Sequence, residues 1–291
     1  MLRVAGQRGT IRAVMAASRM LEGVPYRIEW SEFGAASPLL EALAAGAVDL
    51  GGVGEAPFAF AVANGAPIVA VMALVARSGG KPVAIVVPTK SPLGNAADLK
   101  DRKVATVRGS VGRYLLIRAA ARAKIDPRRI DTVYLAPAEA KAAMAEGSVD
   151  AWATWSPYIG MATAGGQNRV LVDGSGLFSG LSFIAAHRDV VADKPELIGD
   201  FLGRLGRAQV WGRANIGHYA SALAAETRLP LAVARDMIER QDLGIAAIDA
   251  GVAASTAETL RHFRDAGVIP TVPNLAGAFT ERFNMRQEIK K

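Results

Sequence analysis

Through roughly the first 190 residues, apolar positions fall into two kinds of run: short continuous or alternating stretches that read as strands, and longer stretches with helical spacing. Residues 2–5 make a strand and 6–9 a turn. Thr10 then caps a helix to about residue 21, with Ile11, Val14, Met15 and Ser18 on its inner face. Residues 26–30 alternate as a strand, Ser37-Pro38 opens a helix ending at Gly46, 48–51 is a strand, 56–64 a helix and 68–76 a buried strand. The run 82–88 is a further strand. Strands at 103–107, 131–135, 149–153, 169–172 and 181–186 then alternate with helices at 111–124, 138–146 and one opened by Trp155-Ser156-Pro157. Past His187 the pattern is helical alone, at about 195–215, 221–227, 231–241 and 253–266. Strands alternating with helices over short connections predict βαβ crossovers and mostly parallel sheets; the tail, with no sheet of its own, is expected to pack back on the first unit.

One stretch occurs twice. Glu-Ala-Leu-Ala-Ala-Gly-Ala-Val-Asp at 41–49 returns as Ala-Ala-Met-Ala-Glu-Gly-Ser-Val-Asp at 142–150. Each copy reads as the end of a helix, a glycine after it and a short strand entered through Val-Asp. Upstream of each copy a strand ends in a Gly-hydroxyl pair, Gly9-Thr10 or Gly109-Ser110, before a helix. A repeat of about one hundred residues implies two α/β lobes built alike. The expected division is 1–87 plus 186–291 for the first lobe and 88–185 for the second, joined by a two-segment hinge near Val87-Pro88 and Ala185-Ala186.

Composition narrows the function. A chain of 291 residues with 51% apolar and 21% charged residues can bury a core in each of two domains. Its apolar runs are shorter than the roughly 20 residues of a membrane span. With no cysteine there is no disulfide, thiolate metal site or cysteine nucleophile. The net charge is +7, and the segment 98–129 alone carries ten basic residues against three acidic ones. No aromatic interleaving or recognition motif accompanies them, so nucleic acid is not the expected partner, and the excess is read as support for a small anion. The three histidines lack metal-ligand spacing and read as surface or capping residues. No nucleophile elbow, P-loop or dinucleotide fingerprint is present, and no cofactor is expected.

The candidate chemistry lies where strands meet helices. In parallel α/β sheets this end faces the ligand crevice, and free N–H groups at a helix start favour an anion by about 0.3–1 kcal/mol each. Gln7, Thr10 and Ser110 offer amide and hydroxyl partners there; the alternative is that Thr10 and Ser110 only cap their helices. Glu55 either sits in the field of its helix start or binds donors on a ligand or an opposing loop. Trp155 either walls a ligand tail or is core, and Trp152, within a strand, reads as core.

These residues carry a family signature. Gly6-Gln7-Arg8-Gly9-Thr10, Glu32-Phe33, Leu40-Glu41-Ala42-Leu43, Val48-Asp49-Leu50-Gly51 and Gly54-Glu55-Ala56-Pro57 are followed by Asp98-Leu99-Lys100, Val104-Ala105, Gly109-Ser110 and Pro137-Ala138. The most specific run is Val149-Asp150-Ala151-Trp152-Ala153-Thr154-Trp155-Ser156-Pro157-Tyr158. In these the chain resembles the periplasmic substrate-binding proteins of ABC importers for aliphatic sulfonates, a group that includes taurine and nitrate binders. The resemblance implies a type II periplasmic-binding-protein fold, a monomer that closes on its ligand without catalysis, and delivery to a permease in the inner membrane. It also implies a periplasmic location, with a leader removed or not included, since the strand at Leu2 leaves no room for one. Carried over by motif, the ligand-binding positions are Gln7, Gly9, Thr10, Gly54, Glu55, Ser110, Val111 and Trp155. Two departures bear on the ligand: Val111 stands where the family often has a second serine, and Glu55 where it usually has aspartate. Arg113, one turn into the helix, either restores the lost donor as a charge or points to solvent. A related enzyme that cleaves sulfinates relies on a cysteine, absent here; a cofactor-free enzyme on the same scaffold is the competing expectation, and a nucleic-acid binder using 98–129 the third.

Overall fold

The computed structural model describes residues 1–7 and 9–285; Arg8 of the Gly-Gln-Arg-Gly turn lies outside the described residues. Its elements are β1 (Leu2–Gln7), α1 (Thr10–Ala17), β2 (Ile28–Phe33), α2 (Ala36–Ala44), β3 (Leu50–Gly54), α3 (Glu55–Ala63), β4 (Ile68–Ala76), β5 (Val83–Pro88), β6 (Lys103–Thr106), α4 (Val111–Arg122), β7 (Asp131–Tyr134), α5 (Pro137–Ala145), β8 (Ala151–Trp155), α6 (Tyr158–Thr163), β9 (Asn168–Asp173), β10 (Leu181–His187), α7 (Arg188–Asp193), α8 (Pro195–Ala214), α9 (Ile216–Thr227), α10 (Leu231–Gln241), β11 (Leu243–Ala246) and α11 (Ala250–Asp265).

Two sheets result, ordered β11-β4-β10-β3-β1-β2 and β7-β6-β8-β5-β9. The repeat maps strand onto strand: β1 pairs in parallel with β2 and β3, and β6 in parallel with β7 and β8. The twin Val-Asp stretches serve this pairing. Asp49 accepts the Arg3 N–H at 2.8 Å, and Asp150 accepts the Lys103 N–H at 2.8 Å, so each carboxylate pins the start of the strand that lies between its lobe's two parallel partners. Gly46 and Gly147, at φ 68° and 75°, let both preceding helices end in the left-handed turn that only glycine adopts without strain.

Four expectations change. The sheets are mixed, because β10 runs antiparallel to β3 and β4, and β5 antiparallel to β8 and β9. These are the strands that cross: β5 enters the second sheet and β10 returns to the first. The chain therefore passes between sheets at residues 77–82 and 174–180, upstream of the expected 87/88 and 185/186. An apolar strand such as 83–88, buried on both faces, carries no mark of which sheet it joins. The tail is not helical alone, since β11 adds to the edge of the first sheet by antiparallel pairing with β4. At the helix starts, Gly9 rather than Thr10 is the N-cap of α1, and α2 begins at Ala36, ahead of Ser37-Pro38.

Helices cover both faces of each sheet. In the first, Val14, Leu202, Leu205, Leu223 and Met237 of α1, α8, α9 and α10 bury one face, and Leu39, Leu43 and Phe58 of α2 and α3 bury the other. A further cluster joins the lobes directly: Ala56 and Ala59 of α3 meet Tyr114 and Ile117 of α4 and Leu260 and Phe263 of α11. The two crossing segments touch. A Cβ on Gly80 would lie 1.9 Å from the Gly174 carbonyl oxygen, and Ala76 N–H donates to Gly180 O at 2.8 Å.

Candidate ligand-binding site

Where β1, β3 and β8 end, the lobes enclose a cavity of about 200 Å³. Gln7, Thr10, Gly54, Pro57, Ser110, Val111 and Trp155 line it, so six of the nine expected site residues meet there from both lobes. The starts of α1, α3 and α4 form part of its wall. α1 and α3 have no side-chain cap, which leaves their first N–H groups for a guest, whereas the Ser110 hydroxyl caps α4 by accepting the Arg113 N–H at 3.1 Å. That hydroxyl donates its proton to Val107 O at 2.7 Å; Gln7 Nε2 donates to Gly52 O at 2.9 Å, and Thr10 Oγ1 to Gln7 O at 3.3 Å. The lobes also meet across the opening. Val111 Cγ1 lies 2.8 Å from where a Cβ of Gly54 would stand, and Tyr158 Oη donates to Gly34 O at 2.7 Å.

Gly9, Glu55 and Arg113 do not line the cavity. The Gly9 N–H donates to Glu32 Oε2 at 2.8 Å, and burial pushes the Glu32 carboxyl above its ordinary range. Arg113 neither faces the crevice nor reaches solvent. Its side chain is buried, Nη1 donates to Thr132 Oγ1 at 3.0 Å and Nε has no partner, so burial lowers its pKa. Val111 offers a methyl wall in place of a hydroxyl. Trp155 combines both readings: it packs edge-on against Tyr158 and is part of the cavity wall, while Trp152 is core at 2% exposure.

Glu55 turns to the hinge. Its carboxylate accepts Ser179 Oγ from the returning crossing at 2.5 Å and Thr256 Oγ1 from α11 at 3.2 Å. Burial pushes its pKa above the ordinary 4.5, and these hydroxyls only partly offset that. The folded protein then holds this proton to higher pH than the unfolded chain, so the group's contribution to stability declines as pH rises from about 4.5 through the raised value. Glu55→Gln, which cannot ionise, is expected to remove that slope. In thermal denaturation across this range, the wild-type Tm minus the variant Tm should decrease with rising pH; a constant difference would refute the assignment.

The charges of the basic segment 98–129 do not line the cavity, although its Ser110 and Val111 do. No Asp, Glu, Lys, Arg or His among the described residues lines the cavity. Arg129 pairs with Asp101 at 2.8 Å, Arg128 with Asp126 at 2.7 Å and Arg118 with Glu258 at 3.5 Å. His187 caps α7 as expected, but His262 is half-buried at the lobe junction, its Nδ1 3.0 Å from Tyr114 Oη.

Several wall residues were not foreseen. Ser156 is buried and its Oγ has no hydrogen-bond partner, which makes it the free hydroxyl of the second lobe's wall. Ser182, Gln209, Tyr219 and Gln241 line the part of the cavity that runs into the first lobe. One of them left a signal in sequence. Ile198, Leu202, Leu205 and Gly212 form the inner stripe of α8, and Gln209 occupies the step between them where an apolar residue is expected.

A crevice between two α/β lobes joined by two crossings, with helix starts aimed into it, defines the periplasmic-binding-protein fold. The chain belongs to the NMT1/THI5-like family, whose model matches residues 30–211. A chain of Escherichia coli (strain K12) named for binding aliphatic sulfonates is 36% identical over 275 residues, 92% of this chain and 85% of that one. Among solved structures, the alkanesulfonate-binding protein SsuA from Xanthomonas axonopodis pv. citri bound to MOPS superposes with a TM-score of 0.88 at 34% identity, covering 96% of this chain and 97% of its own. The periplasmic aliphatic sulphonate binding protein SsuA from Escherichia coli gives 0.82 at 34% identity, over 95% and 91%. The desulfurization enzyme DSZB, at 15% identity and a TM-score of 0.65, shares the fold.

Proposed function

We propose that the protein is the solute-binding component of an ABC importer and captures an aliphatic sulfonate between its lobes as a monomer in the periplasm, handing it to a permease in the inner membrane. The observation that carries this reading is a cavity that helix starts and hydroxyls line, with apolar walls and, among the described residues, no charged side chain. A sulfonate, the anion of a strong acid, stays ionised in such a neutral cradle, where a carboxylate would tend to take up a proton. Nitrate would leave the apolar volume unfilled, and taurine would bury an ammonium with no carboxylate among the described wall residues beside it. Gln7, Thr10, Gly54, Ser110 and Ser156 surround the sulfonate head, and Val111 and Trp155 contact the alkyl chain.

The test is a thermal-shift series with alkanesulfonates, taurine, nitrate and sulfate. At a concentration one hundred times Kd a ligand adds about 2.7 kcal/mol, or a rise of roughly 5–10 °C. Alkanesulfonates should give the largest rise and be recovered chemically unchanged. No rise with any of these anions at millimolar concentration would overturn the reading, and conversion of the sulfonate would replace it with an enzymatic one.

A further inference from the structure

The cavity does not end at the crevice. It runs between Ile11, Leu74, Ile184 and Met237 into the layer between the first sheet and its helices, and its far wall carries Gln209 and Gln241. Both amides, with Tyr219 and Leu243, also line a second cavity of about 290 Å³ beneath α8 and α10, so the two spaces share a wall. Gln209 is 6% exposed, and neither its amide nor that of Gln241 makes a hydrogen bond among the described residues. Both amides open on the cavity, where the far end of a guest can meet their donors and acceptors.

We propose that this inner branch is a second recognition site, in which the Gln209 amide, seconded by Gln241, hydrogen-bonds a neutral polar group at the far end of an extended ligand whose anionic head lies in the crevice. The inference rests on the sulfonate reading and narrows it to chains long enough to pass the four apolar side chains and ending in a hydroxyl, ether or amide. A charged end is disfavoured, because the rim of the second cavity carries Arg213 beside Glu239 and Asp242, charges of both signs. An amide offers a donor and an acceptor, and so suits groups that can do either.

Calorimetric titration of ethanesulfonate, hexanesulfonate and ω-hydroxyhexanesulfonate, into wild type and Gln209→Leu, tests it. Wild type should bind the hydroxylated chain on the order of tenfold more tightly than plain hexanesulfonate, because the end group gains a partner instead of displacing water from an unsatisfied amide. Gln209→Leu should abolish that preference and bind plain hexanesulfonate more tightly than wild type does. Ethanesulfonate, too short to reach the branch, should bind both proteins alike. A preference that survives in Gln209→Leu, or hexanesulfonate binding no better than ethanesulfonate in either protein, overturns the inner site and leaves the crevice reading standing. Failure of all three to bind overturns the crevice reading itself.

Discussion

Gly80→Ala is expected to lower Tm by roughly 5 °C and weaken ligand binding at least about tenfold, effects of the size that overpacking produces. The position 1.9 Å from the Gly174 carbonyl leaves no room for a methyl group, and the obstacle is backbone, which no rotamer change removes. The crossings must separate by more than an ångström. Ala76 N–H donates to Gly180 O and Gly174 N–H to Val83 O, so separation strains the bonds that align the lobes. Closure then misplaces Gly54 against Val111. Gly217→Ala is the control: a helical glycine with nothing within 4 Å, expected to keep binding and gain up to about 1 kcal/mol. Binding and Tm in Gly80→Ala equal to wild type would mean that the crossings tolerate separation.

The second large effect is expected from the paired aspartates. Asp49 is fully buried and holds Arg3 N–H at 2.8 Å, Arg3 Nη2 at 2.6 Å and Lys194 Nζ at 2.9 Å, tying the start of β1 to the tail. Asp49→Ala should cost about 3 kcal/mol, since it strands two cations and an N–H, and lower Tm by roughly 6–10 °C. Asp150→Ala removes the equivalent bond to Lys103 at a carboxylate 40% exposed and 3.9 Å from Arg102, where water replaces what is lost. About 1 kcal/mol is expected there. Equal losses at the two sites would contradict this account. Burial pushes the Asp49 carboxyl up, but Arg3 and Lys194 outweigh it and hold the pKa below the ordinary 3.8. Its contribution is therefore present above that pH and lost only as pH falls through the lower folded value, where the gap between wild type and Asp49→Ala should narrow.

Residues whose role is local were legible in sequence. The Gly-Val-Asp repeats announced two similar lobes because a helix end, a left-handed glycine and a strand start follow from neighbouring residues alone. The same holds for Ser110, whose cap is a bond to Arg113 three residues on. What depends on distant partners was hidden. The direction of Glu55 is set by Ser179 and Thr256, more than one hundred positions away, and that of Arg113 by Thr132 on β7. The strand Leu243–Ala246 is four residues long and contains a glycine, too short for periodicity to detect, and it exists because β4 offers an unpaired edge. Gln209 was readable in principle as the one polar step in an apolar stripe, but only the cavity gives that step a purpose.

Among the described residues the wall of the cavity holds no acid, base or imidazole for the surroundings to act on. Backbone dipoles and hydroxyls keep the same polarity over the ordinary range of external pH, and a sulfonate keeps its charge over that range too. External protons then reach capture only from outside the described wall, through carboxyls such as Glu32 and Glu55. Letting go then requires that something pull the two halves apart, so unloading becomes a mechanical act of whatever grips the lobes.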